Sequence, residues 1–299
     1  MLIVPAPHQH DHDDDHDDHD DHGGLHRDAL ATARVMDRRR ALRTAAKFGA
    51  AFSALNLIGC AASELTGATE TGASTGTGTG TSTGGSASAG TCTRIPEETA
   101  GPYPGDGSNG ANVLNLAGVV RSDIRSSFAG LSGTATGVPL AVDLTIVSAS
   151  TCAVLADYAV YLWHCDALGR YSLYTSGVTG QNYLRGVQAA DANGRIRFTT
   201  VYPGCYAGRW PHIHFEVFQS LSAATSVRNK IATSQIALPK AANDLAYATS
   251  GYGASATNAG RVTLASDGIF SDSAALELAT VTGSVADGFT AALTVAVSV

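Results

Sequence analysis

Short runs of alternating apolar and polar residues recur along the chain from about residue 92 to its end. Such alternation is typical of half-buried β-strands, and turn-forming Gly, Pro, Asn and Asp residues separate the runs. The Asn193-Gly194 pair is typical of a tight hairpin turn. Helical periodicity is scarce, with one short turn expected at 273–279. The pattern therefore predicts an all-β domain, a β-sandwich, with strands near 142–146, 158–164, 195–200, 212–218 and 289–297.

The first 91 residues lack this pattern. Residues 67–91 consist almost entirely of Gly, Ser, Thr and Ala, which cannot bury enough apolar surface to offset the entropy of ordering. We therefore expect a disordered N-terminal region before the sandwich. The predicted organisation is a His/Asp-rich tail at 1–35, an export signal at 36–59, a linker at 60–91 and the folded domain at 92–299.

Export is predicted from the stretch that begins at Met36. Arginines follow it at once, including Arg38 and Arg39, and a mildly apolar stretch leads to Leu57-Ile58-Gly59-Cys60. A basic region followed by a short apolar region and small residues is typical of a secretory signal. The paired arginines resemble a twin-arginine signal, and the last four residues resemble a lipobox whose Cys60 is acylated. The alternative is an ordinary signal cleaved near residue 61 or 62.

A tract of His and Asp occupies residues 8–22. Imidazoles and carboxylates bind divalent metals loosely, so metal storage is one hypothesis. The other is that residues 1–35 lie upstream of the true start codon, because the export signal begins naturally at Met36.

Composition narrows the function classes. The 299 residues are 44% hydrophobic and 15% charged, which is typical of globular proteins, and the formal charge is −7. A nucleic-acid partner is disfavoured because no basic patch would neutralise phosphates. No apolar run reaches the ~18 residues of a membrane span, so we expect membrane contact only through a lipid anchor at Cys60.

Four cysteines follow Cys60, namely Cys92, Cys152, Cys165 and Cys205. Exported domains commonly contain disulfides, and four cysteines allow three pairings. We favour Cys92–Cys152 together with Cys165–Cys205, with a pair of buried free thiols as the alternative.

Two histidines mark the candidate chemistry. His212 and His214 lie two apart in a predicted strand, so both side chains project from the same face, while Ile213 and Phe215 point into the core. Two co-facing imidazoles provide half of a metal site. Surface or core histidines without a metal are the alternative.

Tyrosine is plentiful around this pair. A phenol loses its proton near pH 10, so it binds metals well only when a highly charged ion displaces that proton. Ferric iron meets this demand better than zinc, calcium or magnesium.

Two motifs carry a resemblance to a known family. Gly169-Arg170-Tyr171-Ser172 is the first, and the second runs from Pro203-Gly204 through Tyr206 and Arg209 to His212-Ile213-His214. Both resemble motifs of the intradiol ring-cleavage dioxygenases, the family of catechol and protocatechuate dioxygenases, and most closely those of its exported single-domain members. The resemblance covers most of the predicted domain and implies the intradiol type of β-sandwich.

The resemblance also implies a ligand set and further site residues. Four side chains would bind a non-haem Fe(III), and Tyr206 would also accept a substrate proton. Arg209 matches the family's active-site arginine, and Gln235 its glutamine. Trp163 is expected to pack beneath the site, whereas Tyr103 either lines the substrate mouth or is a plain turn residue. The implied iron ligands are Tyr171, Tyr206, His212 and His214.

The implied activity is Fe(III)-dependent cleavage of a small catechol-class aromatic diol by O2 to a muconate-type diacid, a reaction of aromatic catabolism. A non-catalytic module of the same fold, anchored to the envelope and binding iron or catechols, is the alternative. Neither the catechol nor the oligomeric state follows from the sequence.

Overall fold

Residues 92–299 are described by the computed structural model, and they form two four-stranded β-sheets with two short helices. One sheet has the order β4-β1-β8-β7 and the other the order β3-β2-β5-β6. The predicted all-β sandwich is therefore confirmed. The strands are β1 (Pro139–Ser148), β2 (Ala159–Trp163), β3 (Arg185–Ala189), β4 (Arg195–Val201), β5 (His212–Phe218), β6 (Lys230–Ala237), β7 (Thr280–Ser284) and β8 (Gly288–Val297), and the α-helices are α1 (Lys240–Tyr247) and α2 (Ser255–Ala259).

The alternation in the sequence places the core between the sheets. Every second residue of β1, from Leu140 to Ile146, is buried. Ile213, Phe215 and Val217 of β5 belong to the same apolar cluster as these β1 residues. Burial of these aliphatic and aromatic side chains is the main favourable term in folding. The five strands predicted from the pattern all lie where expected.

The second sheet is buried on its other face as well. Strands β2 and β5 have no exposed residue, because the chain between about 100 and 128 packs over their outer side. A second apolar cluster forms there, and it contains Val113, Leu114 and Phe128 together with Tyr161 and Trp163. The candidate site residues lie on this covered outer face, which explains why the two strands show little polar alternation.

The cysteine prediction is half right. Cys92 and Cys152 form a disulfide. The predicted Cys165–Cys205 bond is wrong, because both residues are free buried thiols. Each thiol donates to a different carbonyl, Cys165 to Gly204 and Cys205 to Arg209, both at 3.4 Å. Burial raises the pKa of Cys205 to about 12, so its thiol is protonated at neutral pH.

A few local features differ from expectation. The helical turn expected at 273–279 is a plain turn at 275–277, preceded by a 3-10 helix at Phe270–Asp272. The helix α1 was not predicted. Within residues 92–299 no helix has the length and apolarity needed to cross a bilayer. The predicted tail, export signal and linker at 1–91 lie outside the described residues.

Candidate metal centre

Strand β5 places the two site histidines side by side. His212 and His214 share the outer face of the sheet and are each only 3% exposed. Their Nε2 atoms lie 3.1 Å apart. The ring planes meet at 79°, so the two nitrogens converge on one point rather than stacking.

Both predicted tyrosines join this pair. The hydroxyl of Tyr206 lies 3.2 Å from Nε2 of His212. Tyr171 is buried, with its ring centroid 5.9 Å from that of Tyr206 and 6.1 Å from that of His214. The structure thus brings together all four side chains that the sequence singled out as ligands.

Two loops hold the tyrosines in place, and glycines let the loops touch. At Gly204 a Cβ atom would lie 2.5 Å from the carbonyl oxygen of Ala167. At Gly169, which has φ +80°, a Cβ would lie 3.2 Å from Cβ of Tyr206. Asp166 shapes the first loop by accepting hydrogen bonds from the backbone N–H groups of residues 168 and 170. At Gly169 and Gly204, only a residue without a Cβ atom permits the two loops to approach so closely.

The hydrogen-bonding state of His212 suits metal binding. Its Nδ1 lies against the carbonyl oxygen of Trp210, which can only accept. In the neutral ring Nδ1 therefore carries the proton, and Nε2 presents a lone pair toward Tyr206 and His214. Burial holds the pKa of both imidazoles well below the usual 6.5, and the nearby charge of Arg209 lowers them further.

The donor set fits a cation. Neutral imidazole is the form that binds metals, and two Nε2 atoms at 3.1 Å share a position where a positive ion would relieve their crowding. Among residues 92–299 no group of three or more His, Cys, Asp and Glu can hold a metal. Any ion here would therefore depend on the two phenols, and phenolates favour a hard ion of high charge such as Fe(III).

Arg209 and Gln235, the other predicted site residues, are in direct contact. The Nη2 of Arg209 donates to Oε1 of Gln235 at 2.7 Å, and Nε2 of Gln235 donates to the carbonyl oxygen of Thr99 at 2.9 Å. Register pairing puts Gln235 of β6 directly beside His214 of β5. The guanidinium is therefore buried next to the histidine pair.

The floor of the site is aromatic. Trp163 of β2 pairs in register with His214, and its indole stacks on the imidazole with 5.1 Å between centroids and 6° between planes. The ring centroid of Tyr103 lies 5.0 Å from that of Tyr171. Trp163 thus packs beneath the site as expected, and Tyr103 lies beside a candidate ligand.

Sequence reasoning missed two residues that organise the site. Asp267, in the loop after α2, accepts a hydrogen bond from Nε of Arg209 at 3.0 Å. Arg185 of β3 is fully buried and donates to the carbonyls of Tyr103 and Ser172. No local pattern marks either residue, because both act through contacts distant in sequence.

Comparisons with known proteins identify the fold of this chain. The family model described as Dioxygenase matches residues 122–233. An intradiol ring-cleavage dioxygenase from Tetranychus urticae superimposes with a TM-score of 0.55 at 24% identity, covering 69% of this chain and 95% of that one. The chain has the fold of the intradiol ring-cleavage dioxygenases. The resemblance predicted from the sequence is confirmed, and the family match supports the expected enzyme class, the dioxygenases.

More distant structures of the same kind also match. Catechol 1,2-dioxygenase from Acinetobacter sp. ADP1 has a TM-score of 0.41 at 18% identity, covering 68% of this chain and 62% of that chain. The dioxygenase domain of a carbohydrate-binding fusion from Streptomyces sp. SirexAA-E has a TM-score of 0.42 at 20% identity, covering 69% and 99%. No curated protein matches the chain significantly.

Proposed function

We propose that this chain is an Fe(III)-dependent intradiol dioxygenase that cleaves a catechol-class diol with O2 to a muconate-type diacid. The convergence of Tyr171, Tyr206, His212 and His214 carries the proposal. Two imidazoles and two phenols provide two potential negative charges, which suits a trivalent ion better than a divalent one. The non-catalytic binding module predicted as the alternative has no separate observation in its favour.

The proposed iron site is built from this chain's own rigid elements. His212 and His214 would hold the ion from β5, and Tyr171 and Tyr206 from the two loops. Bound there, a ferric ion would supply Lewis acidity and a template for the two hydroxyls of the diol. Trp163 and the apolar cluster around it would keep water away from the ring of the substrate.

Tyr206 is suited to move a proton. It is only partly buried, whereas Tyr171 is 2% exposed. Its phenolic oxygen, 3.2 Å from Nε2 of His212, would accept a proton from an arriving diol hydroxyl. Tyr171 would instead remain a fixed ligand.

The proposed role of Arg209 is electrostatic. Its guanidinium lies beside the histidine pair in a buried setting, where an electrostatic interaction is stronger than in water. It would stabilise negative charge that develops on the diol ring during reaction, and such preorganised charge is commonly a large contribution to catalysis. Gln235 would hold the guanidinium on that side.

Oxygen incorporation tests the proposal. Purified protein is incubated with catechol under 18O2, and we expect ring-opened diacid carrying both labelled atoms. Tyr171→Phe should abolish turnover, whereas Tyr202→Phe, which removes a core hydroxyl bonded to Asn243, should retain it. Binding of catechol without O2 consumption would contradict the proposal and favour the non-catalytic module.

We also propose that the chain is exported and anchored by a lipid on Cys60. The Cys92–Cys152 disulfide supports export, because such bonds persist in oxidising compartments. Expression with a radiolabelled fatty acid tests the anchor: label and membrane association should both be lost in Cys60→Ser. Release of the wild-type protein in unlabelled form would contradict the anchor.

A further inference from the structure

Asp267 lies in a loop outside the stretch that the family model matches, 122–233. The loop follows α2 and leads into the 3-10 helix at Phe270–Asp272. Asp267 is completely buried. Burying a carboxylate costs free energy unless hydrogen-bond or ionic partners compensate for the lost hydration. The partners of Asp267 therefore indicate its role.

The two carboxylate oxygens of Asp267 have separate tasks. Oδ1 accepts from the backbone N–H groups of Ile269 and Phe270, at 2.8 and 3.1 Å, and so shapes its own turn. Oδ2 accepts from Nε of Arg209 at 3.0 Å and from the backbone N–H of Trp210 at 2.7 Å. Oδ1 thus stabilises the turn of its own loop, and Oδ2 binds the segment that carries Arg209.

The guanidinium of Arg209 is held at two points. Nε is fixed by Asp267, and Nη2 is fixed by Gln235, whose own amide is anchored on Thr99. Cζ of Arg209 lies 5.9 Å from the ring centroid of Phe270, the first residue of the 3-10 helix that follows the Asp267 loop. With these contacts the side chain cannot turn about its long axis.

We propose that Asp267 is a positioning residue that orients Arg209 at the metal centre and acts on catalysis only through that arginine. The inference rests on the proposed function, in which the guanidinium stabilises charge on the substrate. A small displacement of a preorganised group costs up to about 100-fold in rate. Asp267 would therefore affect turnover without contacting the diol.

Two substitutions separate the tasks of the carboxylate. In Asp267→Asn, the remaining oxygen can still accept from the N–H groups of Ile269 and Phe270. The amide nitrogen can accept neither from Nε of Arg209 nor from the backbone N–H of Trp210. In Asp267→Ala both tasks are lost. We expect Asp267→Asn to lower kcat on catechol by about 100-fold with KM changed by less than about threefold, because the loss is felt mainly in the transition state.

A double-mutant cycle with Arg209 distinguishes positioning from general damage. In an Arg209→Ala background, Asp267→Asn should cost less than about threefold in kcat/KM, since its effect passes through the missing side chain. Arg209→Gln replaces Arg209→Ala if the latter does not fold. The control is Tyr252→Phe, which removes a buried hydroxyl that accepts from the N–H of Val138 and donates to the carbonyl of Tyr202. It should lower stability but leave kcat unchanged.

Equal losses from Asp267→Asn in both backgrounds, or an unchanged kcat, would overturn the inference. Failure of the wild-type protein to consume O2 with any catechol would instead overturn the proposed function. In that case the same four proteins are compared in urea unfolding. If the effects of the two substitutions on the free energy of unfolding are coupled, the contact by which Asp267 holds Arg209 is supported. Additive effects overturn it.

Discussion

The indole of Trp163 lies parallel to the imidazole of His214, with 5.1 Å between ring centroids and 6° between planes. Trp163 and His214 lie directly opposite each other on the paired strands β2 and β5. The pairing of the strands therefore determines how the two rings stack. The orientation of a candidate metal ligand is thereby fixed by a neighbouring strand rather than by a flexible loop.

Loss of this stack should weaken metal binding. Trp163→Leu removes the flat surface, and we expect iron affinity to fall by about tenfold or more, as for other groups that orient metal ligands. Trp163→Phe keeps an aromatic surface and serves as the matched control. Iron affinity is measured by competition with a chelator, and an unchanged value in Trp163→Leu would show that the stack does not orient His214.

Gly204 should be required for the placement of Tyr206. In Gly204→Ala the new Cβ would lie 2.5 Å from the carbonyl oxygen of Ala167, so one of the two loops must move. We expect loss of the phenolate-to-iron absorption together with lower thermal stability. Gly180→Ala meets no atom within 4 Å and should behave as wild type. Normal absorption in Gly204→Ala would mean that close loop contact is not needed.

The disulfide found within residues 92–299 should contribute strongly to stability. Cys92 and Cys152 are 60 residues apart, and closing a loop of this length in the unfolded chain is worth roughly 4 kcal/mol in the chain-entropy model. Urea unfolding with and without reductant measures the effect. A Cys165→Ala/Cys205→Ala protein should keep the full sensitivity to reductant, because those thiols are free. Loss of that sensitivity would contradict the assigned pairing.

His164 should make stability depend on pH. Burial lowers its pKa from 6.5 to about 4 in the folded protein, where its ring bonds to Thr200. Between these values the unfolded chain binds more protons, so stability is full above pH 6.5 and declines as the pH falls toward 4. The loss from this residue is roughly 3 kcal/mol. Urea unfolding across this range should show a shallower decline in His164→Asn, and an unchanged decline would exclude His164 as its source.

Five of the eight strands were predicted from the sequence, whereas β3, β6 and β7 were not. Alternation identified β1, β4 and β8, each of which packs one face against the other sheet. Strand β5 is buried on both faces, and its His-x-His spacing placed both imidazoles on one of them. The ligand tyrosines followed from motif resemblance, since no periodicity marks Tyr171 or Tyr206. These positions depend on two loops that meet across 35 residues.

Other features could not be read from local patterns. The helix α1 is short and begins directly after Pro239, too brief for a periodic signal. The Cys165–Cys205 pairing was plausible from cysteine number alone, but each thiol is directed to its own carbonyl acceptor. Asp267 binds Arg209 across 58 residues, and no sequence spacing anticipates such a contact.

The most direct test of the central claim is the metal content and visible absorption of freshly purified protein. A site formed by paired phenolates and imidazoles predicts near-equimolar iron and a red-brown colour from phenolate-to-iron charge transfer. This colour should be lost in Tyr171→Phe. A colourless protein that contains zinc or no metal would contradict the account.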